Sequence, residues 1–290
     1  MKKNIKLFSI LLLTTLMMST SYSIEKNISF YVGHSNGGGS AALQTVVSQE
    51  LVKKGWNVDF KVIGNCGSVK DLLETSDKPI LAGWSPDWNS NKDNVCFNPP
   101  TKDNFIKTFM ISPRLLCGPY DDFNFKIVKG NTYRIGVNQG QNHDVLLNDL
   151  GKRLGVTFKV IEYKNSGFIK RAMQAKEIDA WYTTAGLPQH ENKTQKCVYG
   201  TIDNTYLGIK PLKSILPTDN VYTSFVGFLL VNKNVTGDLK VELKKDILSI
   251  VTSKQYRENL KSAGFGDFIT DASDNEQIRL IEATAKAFKK

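Results

Sequence analysis

A strand, a glycine-bearing loop, an amphipathic helix and a second strand occur twice in this chain, and the duplication constrains its fold more than any single motif. The first copy opens with an apolar strand at Ile28 to Val32 and a loop of Asn36, Gly37, Gly38, Gly39 and Ser40. Leu43, Val46, Val47 and Leu51 then fall at i, i+3, i+4 and i+8, the spacing of one buried helix face. That helix ends at Lys53 and Lys54 and stops at Gly55, which suits a left-handed C-cap. Strands at Val58 to Ile63 and Ile80 to Trp84 flank a short helix over Val69 to Leu73. The second copy has a strand at Tyr133 to Val137, a loop of Asn138, Gln139, Gly140, Gln141 and Asn142, and a helix carrying Val145, Leu146 and Leu150. Part of the echo is literal: Phe60, Lys61, Val62, Ile63 return as Phe158, Lys159, Val160, Ile161. Each copy then runs through a turn and an apolar helix to a strand ending in tryptophan, at Trp84 and Trp181.

Alternating strands and helices imply parallel sheets with right-handed crossovers, so both loops fall at the carboxyl ends of their strands. Two such α/β lobes facing each other form a cleft lined by two loops. Phe225 to Val231 reads as a buried strand and Leu239 to Val251 as an amphipathic helix. Asp274 to Phe288 reads as a last helix, announced by Ser273 and Glu276 at capping-box spacing. This tail is expected to return to the first lobe. The division expected is residues 24–114 with 223–290 in a discontinuous first lobe, and 115–222 in the second.

The segment before residue 24 is set aside from the fold. Lys2, Lys3 and Lys6 precede an apolar run from Leu7 to Met18, and Ser21 and Ser23 supply small residues at cleavage spacing. That is the pattern of a cleaved export signal, and a membrane span would need about 20 apolar residues. The expected location is the periplasm. The formal charge is +10, yet the lysines are scattered, with no arginine-rich block interleaved with aromatics. A solvated basic surface fits this better than a nucleic-acid interface. Cys66, Cys96, Cys117 and Cys197 make an even set in an exported chain, with three pairings open. Pairing within each lobe would join Cys66 to Cys96 and Cys117 to Cys197. No Cys-x-x-Cys spacing argues for zinc.

The loop from Asn36 to Ser40 opens a helix, so backbone N–H groups and the positive end of the helix dipole point at whatever occupies the cleft. An anion is the natural guest, and glycine lets it approach the amides. Asn138 to Asn142 offers amide side chains at the equivalent place, so two tight turns become candidate halves of one carboxylate clamp. Gly37, Gly39 and Ala42 fit a loose dinucleotide fingerprint, but Gly64 and Asn65 stand where an acidic residue is required. The lysine–hydroxyl pair of a phosphate loop is absent too. No G-x-S-x-G elbow occurs, and His34, His143 and His190 show no metal-ligand spacing. His143 and His34 adjoin the two loops, with ligand contact or a structural role open to each. Trp84, Trp88, Trp181 and Tyr182 lie at strand ends, where they wall a pocket or belong to the core. Ser85, Thr183 and Thr184 add hydroxyl donors there. No catalytic residues, cofactor or metal are expected.

With these residues in view, the chain resembles the Bug family, the periplasmic substrate-binding receptors of tripartite tricarboxylate transporters. Val32 to Ala41 matches the family's first loop; Tyr133 to His143 looks like its second, one residue shorter. Val160 to Asp179, with Tyr163, Lys164, Ser166, Gly167, Glu177 and Ile178, is similar to its next segment, and Tyr256 to Phe265 to its closing helix and turn. The resemblance implies a two-lobed type II periplasmic-binding fold in which both loops hold a carboxylate through backbone amides and bridging waters. A monomeric receptor for a small anionic metabolite is expected, with membrane transporter subunits as partners. Asn36 replaces the family's proline and Ala41 its loop aspartate, which points to altered specificity. An exported hydrolase or transferase on the same scaffold is the alternative, as is a receptor for signalling.

Overall fold

The computed structural model describes residues 24–33, 39–63, 66–85, 100–119, 123, 125–138, 143–164, 166–184, 190–191, 193–201, 207–215, 225–262 and 272–287. The first copy of the repeat forms β1 (Asn27–Val32), α1 (Gly39–Lys53), β2 (Asn57–Val62), α2 (Cys66–Thr75) and β3 (Ile80–Trp84). After β4 (Phe105–Ser112) and β5 (Leu115–Pro119) the second copy forms β6 (Thr132–Asn138), α3 (His143–Leu154), β7 (Thr157–Tyr163), α4 (Ser166–Gln174) and β8 (Ala180–Thr183). The remainder is β9 (Gln195–Gly200), β10 (Lys210–Pro211), β11 (Phe225–Val231), α5 (Gly237–Val251), α6 (Lys254–Ser262) and α7 (Asp274–Ala287).

The strands make two sheets, ordered β2-β1-β3-β11-β4 and β10-β9-β5-β8-β6-β7. The repeat is visible in their registers. Phe30 pairs with Phe60 across β1 and β2, and Tyr133 with Phe158 across β6 and β7. Each pair brings rings together, with centroids 5.3 Å apart in the first and 6.1 Å in the second. Gly55 and Gly155, which end the helices before β2 and β7, have φ of 85° and 66°. That left-handed conformation is one glycine adopts without a Cβ penalty.

The sheets are mixed rather than parallel. β11 runs antiparallel to β3 and β4, and β5 runs antiparallel to β8 and β9. The cause is the direction of entry. β4 finishes at Ser112, two residues cross, and Leu115 starts β5 opposite Thr183, the last residue of β8. A chain that enters a sheet from the edge where its parallel strands end must run against them. β11 enters the first sheet in the same sense, with Phe225 opposite Ser112.

Both faces of each sheet are covered. Phe30, Val32, Leu43, Val47, Leu51, Phe109, Leu243, Ile247, Tyr256 and Leu260 form one core of the first lobe, under α1, α5 and α6. Val69, Leu73, Trp84, Phe228 and Ile281 form the other, under α2 and α7. In the second lobe Leu147, Leu150, Phe158 and Tyr182 pack beneath α3, and Ile169, Met173, Ile178 and Trp181 beneath α4. Each such side chain contributes about 1.5–3 kcal/mol on burial. At the start of α7 the Ser273 amide donates to Glu276 Oε2 at 2.8 Å and the Glu276 amide to Ser273 Oγ at 3.4 Å, a reciprocal capping box. Helices α5 and α7 pack against the two faces of the first sheet.

Candidate functional site

The carboxyl ends of β3, β4 and β8 and the first residues of β5 and β11 converge where the chain crosses between lobes. Ser112 Oγ donates to the Thr184 carbonyl at 2.6 Å, a direct bond from one lobe to the other. Ser85, Ser112 and Thr183 are buried there. On the first-lobe side, Ser40 lies in the first turn of α1, 8% exposed, and receives Gln44 Nε2 at 3.3 Å on its carbonyl and 3.4 Å on its hydroxyl. The amide groups that open α1 are thus braced from within.

On the second-lobe side, Asn138 ends β6 and His143 opens α3. Ser166, the first residue of α4, places its hydroxyl 3.5 Å from Asn138 Oδ1. Three backbone termini therefore meet at one edge of this sheet: the end of β6 and the amino ends of α3 and α4. His143 is 2% exposed and meets the Tyr182 ring edge-on, with centroids 5.2 Å apart. Arg114 Nη1 lies 3.3 Å from His143 Nδ1. Burial first, and the Arg114 charge second, hold His143 well below the ordinary histidine range.

Ser40 and Ser85 thus lie at a helix start and a strand end of the first sheet, and Asn138, His143 and Thr183 at those of the second, while Tyr182 belongs to the core beneath α3 with its ring against His143. Asn36, Gly37, Gly38, Gln139, Gly140, Gln141 and Asn142 lie outside the described residues, as does the burial of Gly39. Trp84 and Trp181 belong to the cores beneath the helices; Trp84 is fully buried. Trp88 and His34 lie outside the described residues. His190 is a bracket elsewhere: its Nδ1 accepts from the Cys197 amide at 3.1 Å and its Nε2 donates to the Leu207 carbonyl at 2.9 Å. Cys117 and Cys197 form a disulfide between facing residues of β5 and β9. Cys66 is disulfide-bonded too, and Cys96 lies outside the described residues.

The sequence reading passed over Gln44, Ser112 and Arg114. Arg114 carried one usable signal, a proline–arginine pair between two apolar strands. Gln44 carried another, as a polar residue among apolar ones on the inward face of α1. Among the described residues no group of three histidine, cysteine or acidic side chains is placed to hold a metal, and no helix is long and apolar enough to cross a membrane.

No protein-family model and no curated protein matches this chain. Solved structures do. A TctC solute-binding protein from Polaromonas, 17% identical, aligns over 91% of this chain and 96% of its own with a TM-score of 0.67. The periplasmic binding protein BugD, 14% identical, aligns over 92% of this chain and 97% of its own with a TM-score of 0.67. MatC from Rhodopseudomonas palustris with bound malate, 13% identical, aligns over 91% of this chain and 98% of its own with a TM-score of 0.66. The chain has the two-lobed fold of these periplasmic binding proteins.

Proposed function

We propose that this chain is an exported receptor that captures a small carboxylate between its lobes and presents it to a membrane transporter, without chemistry of its own. The observation that carries the reading is the convergence just described. Two repeated α/β lobes, linked at Pro113 and Arg114 and again between β10 and β11, carry helices that start where parallel strands end: α1 after β1 in the first, α3 after β6 and α4 after β7 in the second. Unpaired N–H groups and helix dipoles favour an anion at such ends. The likeness to MatC with bound malate, over nearly the whole of both chains, supports a carboxylate as that anion.

In this reading the loops at 36–40 and 138–142 grip the ligand from opposite lobes. The lobes comprise 24–114 with 223–290, and 115–222, and they close because the closed state makes more ligand contacts than the open one. Residues 1–23 act as a leader that takes the chain to the periplasm, where the mature protein works as a monomer. Membrane transporter subunits then read the closed shape.

A thermal-shift panel of malate, succinate, adipate, citrate and common amino acids tests this. A true ligand at about 100 times its Kd stabilises the fold by roughly 2.7 kcal/mol. Stabilisation by a carboxylate, with the compound recovered unchanged, is the expected result. A flat response across the panel removes the carboxylate, and chemical turnover of the bound compound replaces the receptor with an enzyme.

A further inference from the structure

The crossover between lobes carries a charged side chain to the amino end of α3. Pro113 and Arg114 are the whole link from β4 to β5, and Arg114 is 1% exposed. Thr201 holds its backbone from both sides: the Arg114 amide donates to Thr201 Oγ1 at 2.8 Å, and the Thr201 amide donates to the Arg114 carbonyl at 3.0 Å. The guanidinium is thereby fixed against the first residue of α3, with Nη1 3.3 Å from His143 Nδ1.

A guanidinium has only donors and keeps its proton in proteins. A hydrogen bond from Nη1 therefore needs Nδ1 as acceptor, which puts the ring proton on Nε2. An imidazolium would set N–H against N–H beside a second positive charge. Arg114 from the crossover meets the imidazole at Nδ1 and Tyr182 from β8 meets it edge-on, while Asp144, next along α3, is exposed. The depressed His143 basicity agrees with this geometry. The pair comprises one permanent positive charge and one neutral donor.

We propose that Arg114 sets the charge state of the second-lobe half of the site. It locks His143 as the neutral Nε2–H donor and keeps a fixed cation at the amino end of α3, so the grip on a carboxylate does not depend on histidine titration. The lock itself stands on the contact; its effect on a ligand rests on the receptor reading.

Side-chain 15N spectra of the full mature chain test the lock without any ligand, with the His143 signals assigned through H143Q. His143 is expected to stay neutral and protonated on Nε2 from about pH 5 to 8, the range in which an ordinary histidine titrates. Titration inside that range, or protonation on Nδ1, overturns the proposal. With malate as probe, Arg114→Gln should raise Kd at least ~10-fold, about 1.4 kcal/mol, and let His143 exchange between tautomers. Arg114→Lys retains the charge and should fall between, and it serves where the glutamine variant fails to fold. Unchanged malate affinity in both variants overturns the role in binding. If wild-type protein binds no carboxylate, the receptor reading fails while the spectra still judge the lock.

Discussion

Gln44 occupies the space that a side chain on Gly83 would need: a Cβ built there would stand 1.5 Å from Gln44 Oε1. Gln44 is fully buried, lies across the β3 backbone and reaches back to Ser40 in the first turn of its own helix. A glycine in one strand therefore makes room for the side chain that steadies the amino end of α1, and with it the first-lobe half of the proposed site.

Replacing Gly83 with alanine should push Gln44 off Ser40 and cost about 1–3 kcal/mol, the usual range for overpacking a buried position. Gln44→Ala in the same chain should recover much of that loss. Urea denaturation of the two single variants and the double variant measures the coupling. Strict additivity would show that the two residues do not share this space.

Asp246 is a second test, away from the site. Its carboxylate accepts Trp56 Nε1 at 2.8 Å and Lys26 Nζ at 3.1 Å, tying the start of β1 and the turn after α1 to α5. Burial alone would raise its pKa, but the hydrogen bonds from Trp56 and Lys26 and the nearby lysine charges outweigh it and leave a net lowering. A carboxylate depressed in the folded state stabilises the protein above its unfolded pKa of about 3.9, and that contribution fades as pH falls through the lower folded value. Asp246→Asn should cost about 2 kcal/mol near neutrality and flatten the loss of stability below about pH 4. Equal acid sensitivity in the two proteins would assign the effect to other groups.

The disulfide between Cys117 and Cys197 closes a loop with a sequence separation of 80. Both residues are buried, and β5 and β9 already pair through their backbones. The chain-entropy argument gives about 4.5 kcal/mol for a loop of this length. The C117A/C197A double variant should therefore unfold at distinctly lower denaturant. A loss under about 1 kcal/mol would mean that the backbone ladder and its core fix β9 without the link.

The element pattern was legible because it is local. The i, i+3, i+4 spacing of Leu43, Val46 and Val47, the turn at Gly55 and the Ser273–Glu276 cap each concern a few neighbouring residues, and the structure places helices and a cap there. The repeat was legible for the same reason, since each copy writes its own strand, loop and helix.

The sequence by itself determined the strands and helices of the two repeated units, the β11 strand and the helices α5 and α7, whereas β4, β5, β9 and β10 carry no pattern that was read from it. Only the tertiary structure decided that β5 and β11 run against their neighbours, that Gln44 lies over Gly83, and that Arg114 meets His143. Periodicity records which face of an element avoids water, and it is blind to the direction from which a chain re-enters a sheet. The crossover at Pro113 and Arg114 fixes that direction for β5, and it brings Arg114 to His143, 29 residues further along the chain.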